Sequence, residues 1–239
     1  MDGRLAISSR KKLFPEGFYP RFLTVRLAGN DLLLVKALAD VFCSTPYLED
    51  HHLVGAAGQV MVAKAFNLKL NGLAYHGGDG GKDYLQTRID TKTCYCPSDQ
   101  KPVLWIPDNP GKWNPPKVYI GVALKEICPL YLEGNILGFA TTSRIKDLIE
   151  AGKVRLPSGN YKKLGIEAED LYPISWLDLY LKCDNGEHQV VMSQFLGEED
   201  LNELIQCIPL RSNTEAEDES SILVSLFGLE DKESASEAI

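Results

Sequence analysis

After its leading lysine, no residue of Lys117-Val118-Tyr119-Ile120-Gly121-Val122-Ala123-Leu124 is charged. A stretch of that length without polar alternation has no face to give to water, so it reads as a buried strand, and the rest of the chain has to cover it. Downstream, Leu130-Tyr131-Leu132 and Ile136–Thr141 flank a turn at Glu133–Asn135 and read as a hairpin. Thr142 or Ser143 then caps a helix over Arg144–Ala151 that stops at Gly152. Upstream, a helix is expected around Asp31–Phe42 with Gly29-Asn30 as its start. A second runs from about His52 to Phe66, where Gly55, Ala56, Ala57 and Gly58 let it lie close to a sheet. Pro97–Pro116 reads as a long loop carrying Trp105 and Trp113, placed to flank a substrate groove. Residues 153–183 read as a looser appendage, and Glu198–Cys207 as a helix whose acidic first turn suits the positive helix end. The order is α/β.

The chemistry concentrates between Tyr75 and Lys92. If residues 83–85 and 88–92 pair as an antiparallel hairpin turning through Gln86-Thr87, Tyr84 faces Ile89 and Asp83 falls opposite Asp90. Strand side chains alternate between faces, so Lys92 joins Asp90 on that face. Two carboxylates and an ammonium then converge, as hydrolysis of a phosphodiester requires. Asp83, Asp90 and the main-chain carbonyl of Thr91 are a donor set for Mg2+ or Mn2+, which would polarise the phosphoryl group and activate a water. Lys92 orients or deprotonates that water, or offsets transition-state charge. The competing reading is a solvated turn, since Asp, Gly and Lys are common surface residues around a hairpin.

Gly55-Ala56-Ala57-Gly58-Gln59, then Gly78-Asp79-Gly80-Gly81-Lys82-Asp83, then Asp90-Thr91-Lys92 resemble the PD-(D/E)XK nuclease superfamily over roughly residues 55–142. The resemblance implies a restriction-endonuclease-like fold, a mixed central β-sheet flanked by helices. It gives Asp83 the role of the first aspartate, Asp90 that of the second acid and Lys92 that of the lysine. Gln59 stands where the family carries an acid on the preceding helix, and so joins the catalytic set as a neutral auxiliary; His76 and Asp79 fall around the metal ligands. The activity implied is Mg2+-dependent hydrolysis of DNA, as an endonuclease or exonuclease. The alternative is a catalytically weak or inactive relative acting as a nucleic-acid- or protein-binding module, for which the neutral Gln59 is the hint.

Charge looks unfavourable for a DNA partner until it is mapped along the 239 residues, whose net charge is −8. Residues 184–239 hold 14 acids against 2 bases, which leaves 19 acids against 23 bases, a net of +4, for residues 1–183. Lys11, Lys12 and Arg21, among the aromatics Phe14, Phe18, Tyr19 and Phe22, are candidate nucleic-acid contacts with Lys82 and Arg88; the same pattern also describes an amphipathic edge packed on the core. The expected domain is 1–211, followed by an acidic, Ser-rich, flexible tail over 212–239 that contacts its own domain or a partner protein. A homodimer is also allowed. No run of about 18 apolar residues exists to cross a bilayer, and Met1-Asp2-Gly3-Arg4 lacks a signal-peptide core, so a cytoplasmic protein with no membrane partner is expected. Six cysteines without repeated CxxC spacing read as reduced, mostly buried thiols, and Gly77–Gly81 lacks the Gly-Lys-Ser/Thr ending of a P-loop.

Overall fold

The buried strand sits inside a mixed sheet in this computed structural model, which describes residues 22–42, 50–71, 83–85, 87–97, 101–107, 116–157, 163–182, 193 and 195–208. The chain divides into Met1–Pro209 and Leu210–Ile239, and the second unit lies outside the described residues, together with the reading of an acidic flexible tail. In chain order the elements are β1 (Leu23–Ala28), α1 (Asn30–Phe42), α2 (Asp50–Phe66), β2 (Ile89–Tyr95), β3 (Val103–Pro107), β4 (Val118–Cys128), β5 (Tyr131–Thr141), α3 (Thr142–Glu150), β6 (Lys163–Glu167), a 3-10 turn at Ala168–Asp170, α4 (Ile174–Lys182) and α5 (Glu198–Cys207). The architecture is α/β. Its central sheet has the order β1-β5-β4-β2, antiparallel at β1/β5 and β5/β4 and parallel at β4/β2.

Residues Val118 to Leu124 of β4 are all buried because both faces of the strand are covered. Val118, Ile120, Val122 and Leu124 point into a core with Val60 and Met61 of α2, Leu177 and Tyr180 of α4, and Leu201 and Leu204 of α5. Tyr119 and Ala123 point the other way, into a second core with Leu104 and Ile106 of β3, Leu164 and Ile166 of β6, and Leu148 of α3. Gly121 makes that second layer possible: a Cβ there would stand 2.3 Å from Leu104 Cδ2.

Several sequence expectations need correction. The hairpin turn lies at Pro129-Leu130 rather than Glu133–Asn135, and β5 runs unbroken from Tyr131 to Thr141 with a bulge that skips Leu137 in its register with β4. The extra residue keeps Ile136 and Phe139 in one core and Leu137 and Ala140 in the other. Pro97–Pro116 is not an unstructured loop, since Val103–Pro107 pairs antiparallel with Lys163–Glu167. Nor is 153–183 a loose appendage. Ile174, Leu177, Leu179 and Tyr180 of α4 are buried in the main core, because Ile-x-x-Leu-x-Leu-Tyr spacing gives the helix an apolar stripe that must be covered. The cap of α3 is Thr141, whose Oγ1 accepts from Arg144 N at 3.1 Å. No described helix is long and apolar enough to cross a membrane.

Candidate active site

Around Asp83 the expected hairpin ladder is absent. Tyr84 bridges Leu70 antiparallel, Asn71 N donates to Asp83 O at 2.9 Å and Leu85 N to Lys69 O at 2.8 Å, so residues 83–85 pair with 69–71. Between main chains, Asp83 N donates to Ile89 O of β2 at 2.9 Å, while β2 takes its ladder from β4 in parallel. Closeness in sequence does not make these two segments ladder partners, because each pairs with a different stretch of chain. Gln86-Thr87 is a poor two-residue turn, and Thr87 instead folds back so that its N–H and hydroxyl donate to Tyr84 O at 3.4 and 3.0 Å.

The side chains meet nonetheless, by a different route. β2 lies at the edge of the sheet, and the N–H of Thr91 points off that edge and donates to Asp83 Oδ2. The other oxygen, Oδ1, accepts from Gln59 Nε2 of α2 at 2.8 Å. Asp90 and Lys92, two residues apart on β2, share a face and pair at 2.8 Å between Nζ and Oδ2. Asp90 is close enough to Asp83 for their charges to repel. Burial, then that repulsion, holds the Asp83 carboxyl well above the usual carboxylate range, while the Thr91 N–H and the Lys92 ammonium pull the other way. Asp83, Asp90 and Thr91 are between 6% and 8% exposed, so a cation bound here would face little competing water. Lys92, with 28% of its side chain accessible, is the open side of the group.

Among the described residues no three His, Cys, Asp or Glu side chains converge on one point. A site for a softer metal would need such a cluster, whereas a hard cation accepts two carboxylates and completes its shell with neutral oxygens and water. Thr91 fits that role, since in an extended strand a residue's C=O leaves on the same side as its N–H, here the free edge where Asp83 stands. The donor set therefore fits Mg2+ or Mn2+. The four described cysteines, Cys94, Cys96, Cys128 and Cys207, are free thiols.

Arg88, expected as a nucleic-acid contact, is half-buried, and its main chain is stapled on both sides. Its N–H donates to Cys207 O of α5 at 3.2 Å, and its carbonyl accepts from Lys117 N at 2.8 Å. Lys11, Lys12, Arg21, His76, Asp79 and Lys82 lie outside the described residues.

Two tyrosines were not legible as part of the group. Tyr119 stands in register with Asp90 on the neighbouring strand, and burial followed by the Asp90 charge raises its phenol. Tyr84, 1% exposed, places its hydroxyl 2.6 Å from Thr91 Oγ1 and 3.2 Å from the Gln59 carbonyl. The sequence signal was thin: an aromatic directly after the first acid.

No known protein family matches the chain, and neither does any curated protein or solved structure.

Proposed function

We propose that the protein is a metal-dependent nuclease of restriction-endonuclease-like fold that hydrolyses DNA phosphodiester bonds. The observation that carries this reading is the convergence of Asp83, Asp90 and Lys92, with Gln59 and the Thr91 main chain, at the edge of β2. Asp83, Asp90 and the Thr91 carbonyl would hold Mg2+ or Mn2+, which supplies charge neutralisation and an activated water when bound. Lys92, which pairs with Asp90 at 2.8 Å, would orient the attacking water or offset charge on the phosphate. The low exposure of both acids strengthens each of these interactions by excluding competing solvent. The net of +4 over residues 1–183 suits a polyanionic substrate.

One observation favours the alternative, a weak or inactive member of that fold that binds nucleic acid or protein. The neutral side-chain amide of Gln59 donates to Asp83 Oδ1 and the Thr91 N–H donates to Oδ2, so protein donors engage both Asp83 oxygens. Plasmid, linear and single-stranded DNA incubated with Mg2+, Mn2+ or EDTA separate the two. The nuclease reading expects metal-dependent cutting that falls at least about 100-fold in Asp83→Ala and in Lys92→Ala, the size of effect that loss of one catalytic group produces. Binding of DNA without cutting in either metal refutes it.

A further inference from the structure

Asp83 is held at both oxygens, and both holds lead back to the hydroxyl of its neighbour Tyr84. Gln59, whose amide reaches Oδ1, presents its main-chain carbonyl to Tyr84 Oη at 3.2 Å. Thr91, whose N–H reaches Oδ2, presents Oγ1 to the same atom at 2.6 Å. A phenol has one proton to give. Both contacts are hydrogen bonds only if Tyr84 donates to the Gln59 carbonyl and accepts from the Thr91 hydroxyl, so the chain runs Thr91 to Tyr84 to Gln59. Two closed rings result, and both pass through residues 83 and 84. One crosses to α2 and the other to β2, so a single buried oxygen sets the spacing of the three segments that contribute to the site.

We infer that Tyr84 is a positioning residue that fixes Asp83 against Thr91 and Gln59 so that the cation-binding oxygens are pre-set. The inference rests on the nuclease reading and goes beyond it, because Tyr84 touches neither substrate nor the reacting atoms. Removing the hydroxyl leaves the ring and its packing in place, takes the partner from Thr91 Oγ1 and cuts the side-chain tie from residue 84 to the Gln59 main chain, which loosens the seating of Asp83.

The test uses the full chain with Tyr84→Phe, Thr91→Val and the double variant, and reads plasmid cleavage as a function of Mg2+ concentration. Tyr180→Phe is the control, a second buried tyrosine whose hydroxyl donates to Ile208 O at 3.4 Å away from the acids. Tyr84→Phe and Thr91→Val are each expected to raise the half-saturating Mg2+ concentration about tenfold, with the double variant no worse than the poorer single one. Hydrogen exchange at the Thr91 amide is expected to quicken in Tyr84→Phe. Tyr180→Phe leaves the Mg2+ dependence where it was. If the wild-type chain cuts DNA but the Mg2+ dependence and Thr91 exchange of Tyr84→Phe match it, the hydroxyl is merely structural and the inference fails while the nuclease reading stands. If the wild-type chain neither cuts nor binds Mg2+, the nuclease reading falls, and the inference with it.

Discussion

Gly58→Ala tests how α2 is seated against β2, and so how Gln59 reaches Asp83. An added Cβ would stand 1.9 Å from Thr93 Oγ1, 2.9 Å from its Cβ and 3.0 Å from its Cγ2. Rotating Thr93 moves its hydroxyl away but cannot cure the Cβ contact, which falls about 0.6 Å short of ordinary carbon separation. The helix must retreat. Overpacking of this kind costs about 1–3 kcal/mol, while glycine to alanine in a helix interior returns up to about 1 kcal/mol by propensity. Gly55, on the same helix, has nothing within 4 Å of its hypothetical Cβ, so Gly55→Ala collects the propensity gain without the clash. The difference between the two variants in urea unfolding therefore isolates the steric cost, expected at about 1–3 kcal/mol. It should shrink in a Thr93→Ala background, which removes Oγ1 and Cγ2; that hydroxyl is buried with no hydrogen-bond partner among the described residues, so its loss alone costs little. Because Gln59 follows Gly58 directly, a retreat approaching 1 Å also separates Nε2 from Asp83 Oδ1, and misplacement on that scale costs about 100-fold in rate. Equal stability of Gly58→Ala and Gly55→Ala would refute the reasoning, since the close approach of helix and strand would then be doing nothing.

Two further predictions concern buried acids. The Asp83 carboxyl is held above its unfolded range, so the folded chain binds more protons than the unfolded one between the ordinary carboxylate pKa and the raised one. Stability from this group is thus fully present at low pH and is lost as pH rises through that window. Asp83→Asn in EDTA should unfold at higher urea than the wild type at neutral pH and at nearly the same urea at low pH; a wild-type deficit that does not grow with pH would sink this account. Asp200, 6% exposed on α5, accepts from the Thr141 hydroxyl that caps α3 and from Tyr172 Oη at 2.7 Å. Asp200→Ala takes the acceptor from the buried Thr141 hydroxyl and from the half-buried Tyr172 hydroxyl and should cost about 2–4 kcal/mol, measurable by thermal or urea unfolding, with Asp200→Asn losing less because it keeps one acceptor oxygen.

The identity and shared face of Asp90 and Lys92 were legible because strand alternation is local, needing only that residues 89–95 be extended. Core strand β4, the two helices before it and helix α5 were legible for the same reason. The environment of Asp83 was not, because its partners are 8 and 24 residues away and sit on different elements. β3 was hidden by Pro102 before it, Pro107 at its end and its short length, and its partner β6 lies about sixty residues downstream. The fate of Arg88 was equally invisible: its charge suggested a surface contact, whereas its backbone joins the starts of β2 and β4 to the end of α5.

By itself the sequence determined which residues are candidates for the chemistry and that the stretch 118–124 must be buried, since composition and periodicity act over a few residues. Only the tertiary structure decided that β2 pairs in parallel with β4 and that Asp83 reaches Thr91 across a free strand edge. It also decided that Tyr84 ties the segments together. Such pairings depend on which distant surfaces bury one another, and that competition is settled by the whole chain at once.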